Sequence, residues 1–458
     1  MKQDLTNDNP VAEPATGDSS KLSGNMDIDV AIVGGGIIGV MTALGLQRRG
    51  MRVTVYERAQ AWHEMGVGFA FTGVARECMR CLDPRILDSL LRVGEENKHE
   101  YNRYWDGFTP KTKVEAEDEA KSLLFQVSAR DAAYVGCLRS HLLHEMAAQL
   151  PEGVARFDKQ LVSCTDDQDS LKVKLEFSDG ETVEADLVIG CDGIHSTIRK
   201  VLLGPDSPAA SAGYTHVVAY RAVIPVSKAS SALGEDKAKT SCMHFGPDAV
   251  VVSYQVNNGL FLNVSIFVHD PKDWTDIEKT TASARREEVA DVVKDWGPHI
   301  HELVDLLPED LTKWAIFDTG DNPAPTYAKG RMCIVGDAAH ATSPLLGAGA
   351  CMGVEDALVL SETLSTALTS GTQISKAQAV SAALQAYSST RIERSQWLVQ
   401  ASREAGTIYQ WRHPVAGQDR ASCEAAYSPL ARKIWDFNVD NMVSEAKRSC
   451  KDQLLGGF

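Results

Sequence analysis

No stretch of this 458-residue chain carries the roughly 18 apolar residues in a row that a membrane-spanning helix needs. Positive charge is also short: 46 Lys and Arg stand against 62 Asp and Glu, a net charge of −16. That balance disfavours a nucleic-acid surface, which works through clustered cations. Residues 1–25 lack the apolar core of a secretory signal and are rich in Pro, Asp, Asn and Ser, so they read as a disordered leader. The ten cysteines are scattered and form no framework, which fits free thiols in a reducing, cytoplasmic setting. Cys78 and Cys81 make one CxxC with no second pair and no histidine at ligand spacing. The pair is read as core packing, and no metal site is expected.

What is present is a set of glycine turns. "DVAIV" (29–33) is an apolar run suited to a buried parallel strand, and Gly34, Gly36 and Gly39 follow it as GxGxxG. A helical pattern runs from Ile37 to Arg49, and a second strand, "RVTVYE" (52–57), ends on Glu57. Gly34 serves the tight turn, Gly36 the approach of a pyrophosphate to the backbone, and Gly39 close helix–strand packing. The helix N-terminus offers unpaired N–H groups to phosphate, and Glu57 stands where a carboxylate binds ribose hydroxyls. This unit predicts dinucleotide binding and leaves NAD and FAD both open.

Two later segments narrow the choice. "ADLVIGCDGIHSTIR" (185–199) is a buried strand running into Asp192 and Gly193, with Ser196 and Arg199 behind. "GRMCIVGDAAHATSPLLGAGACMGVED" (330–356) delivers Asp337 to the C-terminal end of a strand, where ligands bind in open α/β sheets. Pro344, Gly347 and Gly349 then shape a turn whose amides can face an anion at the start of a helix. In this order, GxGxxG with its acid, DG and GD resemble the class A flavoprotein monooxygenases, the single-component FAD aromatic hydroxylases, over nearly all of residues 28–400.

The resemblance implies an α/β fold. A Rossmann-like FAD-binding domain would be assembled from residues 26–204 and 326–405. An antiparallel-sheet substrate domain would be inserted over 205–325, and a helical segment over 406–458 would close the fold as a monomer or homodimer. It also implies why two glycine turns are needed: the first holds the ADP end of FAD and the second its ribityl chain and flavin ring. Asp337 would bind the ribityl region, and amides around Gly347, Gly349 and Ala350 would face the N1/C2 edge of the ring, favouring the anionic reduced flavin. Many relatives carry GQGAN where this chain has Gly347-Ala348-Gly349-Ala350-Cys351; backbone contacts would survive that change. Ala70 matches a backbone contact near the ribityl chain. Arg139 matches an arginine opening a helix beside the cofactor, with a plain surface arginine as the alternative and Arg130 as a competitor. No second complete dinucleotide unit is present, as the family's transient use of NADPH or NADH implies. Asp192 and Arg199 are candidates to serve both cofactors.

Between 205 and 325 the texture changes to alternating strands: "THVVAYRAVIPV" (215–226), "TSCMHFGPDAVVVSYQV" (240–256) and "LFLNVSIFVHD" (260–270). Within them Arg221 and Tyr254 stand out. An arginine among apolar strand residues needs an anion or a hydrogen-bond network. A satisfied structural arginine is one account; the other is a clamp that holds a phenol as phenolate, with Tyr254 fixing which ring carbon faces the electrophilic oxygen. The pair resembles that of fungal dearomatising phenol hydroxylases from tropolone, sorbicillinoid and azaphilone polyketide pathways. The resemblance implies that Arg221 and Tyr254 are catalytic, acting on a small phenolic substrate with O2. His216 and His244 are expected to be structural or solvent-facing. The alternatives are a salicylate-type hydroxylase giving a catechol and a non-catalytic flavin-binding redox or interaction protein. A halogenase is disfavoured because no Trp-rich motif follows the first glycine loop.

Overall fold

The computed structural model describes residues 26–62, 68–96, 101–128, 134–167, 170–256, 259–276 and 279–456. The leader over 1–25 and Arg130 lie outside the described residues. Asp29–Val33 forms the central strand of a six-stranded sheet, in parallel register with Arg52–Tyr56 on one side and Leu187–Gly190 on the other. Met332–Ile334 adds to Leu187–Gly190, so the strands of the GxGxxG, DG and GD segments end side by side. Leu187–Gly190 is buried along its whole length, as a parallel strand covered on both faces must be.

Two helices cover this sheet. Ile37–Arg48 follows the first turn, and Gly349–Leu368 follows the last. The second is apolar on most sides and is buried along most of its length. The two pack against each other through glycine: a Cβ at Gly353 would lie 2.7 Å from Ile38, and one at Gly45 would lie 3.2 Å from Ser361 Oγ. Lys376–Tyr409 lies over Gly349–Leu368. It starts at a capping box in which Ser375 Oγ accepts from the Gln378 amide at 3.2 Å while Gln378 Oε1 accepts from the Ser375 amide at 3.0 Å. Helices Arg420–Trp435 and Val439–Leu455 complete the C-terminal part.

The second sheet has eight strands, in the order Thr281–Arg285, Asp310–Asp318, Gly213–Pro225, Phe261–His269, Ala249–Val256, Cys242–Gly246, Tyr101–Asp106 and Leu123–Ser128. The expected antiparallel strands are all here, but the sheet is wider than residues 205–325. Tyr101–Asp106 joins it in parallel with Cys242–Gly246, bringing Leu123–Ser128 along. These two strands come from the segment assigned to the first FAD-binding part, because sheet edges are completed by whichever chain lies next to them. Similarly, helix Lys376–Tyr409 runs straight through the 405/406 division. Arg403 on that helix ties it to the sheet through Asp318 and Asp321, with its Nε 2.8 Å from Asp318 Oδ2.

A buried ion network holds the helices under the last glycine turn. Asp356 accepts from Arg391 Nε at 2.8 Å, from the Gly336 amide at 3.0 Å, and lies 2.5 Å from His340 Nε2. Glu355 binds Arg391 at 2.7 Å and Arg394 at 2.8 Å. Burial by itself would raise the Asp356 carboxyl, but His340 and Arg391 outweigh it and hold its pKa down at about 2. Replacing Asp356 by Leu leaves His340 and the Arg391 guanidinium short of an anion, so the variant is expected to lose about 3–5 kcal/mol in urea unfolding at neutral pH. The Asp356 contribution is fully present above the unfolded carboxyl range near pH 4 and is lost as pH falls through about 2. The gap between wild type and Asp356→Leu should therefore shrink as unfolding is repeated from pH 5 down to 2.

Candidate active site

The first turn is built as its sequence requires. Gly34 has φ +102°, and a Cβ there would run into the Cys191 carbonyl and lie 2.9 Å from the Asp192 Cα. Gly36 stands at the N-cap of helix Ile37–Arg48, and a Cβ at Gly39 would strike the Gly34 carbonyl. Glu57 accepts from the Gly35 amide at 2.6 Å and from the Ala59 amide at 2.8 Å, so the acid closes the turn from the end of the neighbouring strand. The loop therefore presents bare backbone beside a half-buried carboxylate.

Asp192 abuts this loop through Gly34, but its carboxylate is turned inward. It accepts from Ser196 Oγ at 2.5 Å and from the Thr197 and Ile198 amides at 2.7 and 3.1 Å, capping helix Thr197–Leu203. Burial pushes its pKa up against these three hydrogen bonds. Arg199 is also absorbed by the fold. It is buried, with Nε on the Ala209 carbonyl at 2.6 Å and Nη1 on the Ala338 and Ala339 carbonyls at 3.0 and 2.7 Å. Among the described residues it is a clasp between the DG and GD segments.

The second turn is open. Asp337 is exposed at the start of the short helix Asp337–His340, although its neighbours Gly336 and Ala338 are buried. Gly347 is exposed in the left-handed conformation at φ +63°, with nothing within 4 Å of where a Cβ would stand. Gly349 and Ala350 are half-buried and open the 20-residue helix Gly349–Leu368, whose first amides have no partner within the helix. Their N–H groups and the helix dipole make an electropositive edge suited to a carbonyl or an anionic ring. The Cys351 thiol, pushed up to about 11 by burial, faces the Ala70 carbonyl at 3.7 Å. Ala70 thus reaches the second turn through its backbone, on strand Gly68–Phe71. Arg139 opens helix Arg139–Ala147 and lies 5.4 Å over the Phe69 ring, beside Ala70.

Both turns meet at one side chain to which no motif points. Ile38, in the first turn of the first helix, is the nearest neighbour of Gly353 and Gly336. Its packing brings the GxGxxG and GD turns together. One chain can thereby hold both ends of an extended ligand, as FAD requires: a cradle without side chains for phosphates, and a distant helix N-terminus for the ring system.

Strand register decides where Arg221 and Tyr254 point. Arg221 pairs with Ser265 and Val223 with Asn263, while Tyr254 pairs with Asn263 and Val252 with Ser265. Residues paired directly across strands, or two apart along one strand, share a face. Arg221 and Tyr254 are therefore on the same side of the sheet. That side carries Ala219, Val250 and Phe267, which cluster with Leu345 and Leu346 just before Gly347. Arg221 lies 5.5 Å over the Trp314 ring, and no carboxylate among the described residues forms an ion pair with it. Burial pulls its pKa down, partly offset by Tyr254. Tyr254 donates to the Gly68 carbonyl at 3.3 Å; burial pushes its hydroxyl up to about 12 although Arg221 pulls the other way. Contacts thus run from Tyr254 to strand Gly68–Phe71 and from Ala70 on that strand to Cys351 and the second turn, with Arg221 acting on Tyr254 through its charge.

The other candidates stay outside. His244 is fully buried, with neither ring nitrogen bonded among the described residues, and His216 leans on the Asp270 carbonyl at 3.2 Å. Cys78 is wholly buried in helix Gly73–Leu82, whereas Cys81 turns its thiol to Glu77 at 3.6 Å.

This architecture is that of an FAD-binding oxidoreductase. The chain belongs to the FAD binding domain family, which matches residues 27–402. It is 56% identical over 421 residues to an FAD-dependent monooxygenase of Aspergillus terreus, covering 92% of this chain and 96% of that one. It is 42% identical over 427 residues to the FAD-dependent monooxygenase pigN of Monascus ruber, covering 93% and 96% of the two chains. A salicylate hydroxylase solved with its substrate superposes with a TM-score of 0.79 at 26% identity, over 92% of this chain and 98% of that one. The protein is an FAD-dependent flavoprotein monooxygenase. No helix among the described residues is long and apolar enough to cross a membrane.

Gly34→Ala places a methyl group against the Cys191 carbonyl at a φ that L-residues rarely adopt. The variant is expected to purify colourless while its far-ultraviolet circular dichroism stays close to that of the yellow wild type.

Proposed function

We propose that the protein uses NADPH or NADH and O2 to hydroxylate a phenolic, polyketide-derived aromatic, with oxidative dearomatisation at a ring carbon that already bears a substituent. The observation that carries this reading is Arg221: a half-buried guanidinium with no carboxylate partner among the described residues, on the sheet face that meets the second glycine turn. Bound FAD would supply activation of O2 with two electrons from the nicotinamide, one oxygen atom entering the ring and the other leaving as water.

The protein's own part is binding, orientation and exclusion of water. Arg221 takes the phenol oxygen as phenolate through charge-assisted hydrogen bonds, which lowers the phenol's pKa and makes the adjacent ring carbons electron-rich. Tyr254 keeps its proton through the neutral range and limits how the ring can turn, so that one carbon faces the oxygen donor. Trp314, Val252 and Phe267 surround the pair with apolar surface that keeps water from the reacting centre. If the attacked carbon carries a methyl group, it has no proton to lose; the ring cannot regain aromaticity and a hydroxy-dienone results.

A second reading, hydroxylation to a catechol, is favoured by 39% identity over 438 residues to the salicylate hydroxylase asL1 of Sarocladium schorii. Aromatic absorbance separates the two: both reactions add one oxygen, but dearomatisation abolishes the ring absorbance whereas a catechol keeps it, and product mass differs only if a carboxylate leaves as CO2.

Arg221→Ala is expected to lower the coupling of nicotinamide oxidation to product at least tenfold, on the scale of one charge-assisted hydrogen bond, with the excess appearing as hydrogen peroxide. Arg221→Lys should recover part of the coupling, since it restores charge without the planar fork. Full coupling in Arg221→Ala would overturn the clamp. Tyr254→Phe should retain binding and yield a mixture of positional products in chromatography with mass detection, where the wild type yields one.

A further inference from the structure

Between Arg221 and Tyr254 the central strand Phe261–His269 contributes Asn263 and Ser265 to the same face. Both are nearly buried, at 6% and 7% exposure, on a surface otherwise lined by Ala219, Val250, Val252 and Phe267. Polar groups are costly in such a place unless they are bonded. Asn263 Nδ2 donates to Ser265 Oγ at 3.2 Å, which uses one amide hydrogen and one hydroxyl lone pair. Among the described residues this is the one side-chain hydrogen bond of the pair, so the Ser265 hydroxyl hydrogen, the second Asn263 amide hydrogen and the Asn263 carbonyl oxygen are left for a ligand. With the Arg221 guanidinium one strand away, the row is rich in donors and poor in acceptors. A ligand that completes it must bring acceptors, and more than the single oxygen Arg221 holds.

We propose that Asn263 and Ser265 form a specificity-determining pair that binds a second oxygen substituent, hydroxyl or carbonyl, on the ring whose phenol oxygen Arg221 holds. The inference rests on the phenol-hydroxylating reading above and narrows its substrate class to rings with at least two oxygen substituents. Two anchoring points on one ring fix its rotation about the Arg221 contact, which one point cannot do. The pair positions substrate and takes no part in oxygen transfer.

The test uses the FAD-loaded full chain and two probes: a methyl-dihydroxybenzaldehyde, and ortho-cresol, which keeps the methyl group and one phenol oxygen but has neither the second hydroxyl nor the aldehyde. Dissociation constants come from the perturbation of flavin absorbance, and KM and kcat from nicotinamide oxidation. Asn263→Leu and Ser265→Ala are each expected to lower the preference for the dihydroxybenzaldehyde over ortho-cresol about tenfold, as for loss of one neutral hydrogen bond, mostly in Kd and KM. Asn263→Ala removes the amide altogether and must lower the same preference; it serves if Asn263→Leu fails to hold flavin, and Ser265→Cys serves likewise for Ser265→Ala. A preference kept within twofold in these variants, or an equal loss for both probes, overturns the pair's role while leaving the phenol reading intact. A wild type whose flavin responds to neither probe, and to no other phenol, overturns both.

Discussion

The structure depends on pressing two strand–turn–helix units against each other although they come from opposite ends of the folded segment. What permits the contact is missing side chain. Gly353 gives the last helix room to close on Ile38 of the first helix, while Gly336 takes the left-handed φ of +63° that the turn beside it requires. The Asp356 network beneath keeps them closed by satisfying the Gly336 amide, His340 and Arg391 at once. With that contact in place, the bare backbone at Gly34–Gly39 and the helix N-terminus at Gly347–Ala350 are held together in one fold.

The second sheet then lays one face over the second turn. Its opposite face packs on its own helices around Trp296 and Ile300, so the sheet has a core of its own there. In its middle the face toward the turn is apolar apart from the row Arg221, Ser265, Asn263 and Tyr254. Tyr254 also reaches across to Gly68, linking the substrate face to the strand that carries Ala70.

Much of this was legible from residues alone. GxGxxG with Glu57, DG and GD identified the cofactor class, since backbone demands on glycine and the placing of an acid at a strand end are local properties. The strands at 29–33 and 52–57 fell close to where alternation and apolar runs put them. Less legible was the fate of Asp192 and Arg199. Motif position suggested ligand contact; the folded chain also uses the first as a local helix cap and the second on carbonyls of the distant GD segment.

Sequence by itself therefore determined the cofactor class, the order of the segments and the alternating strands of the substrate sheet, because each is written in spacings shorter than one element. Tertiary structure alone decided that Tyr101–Asp106 and Leu123–Ser128 complete that sheet, that Ile38 joins the two turns, and that Asn263 and Ser265 stand between Arg221 and Tyr254. Those facts are set by pairing register between distant strands, and a shift of one residue in that register would turn the same side chains to the opposite face.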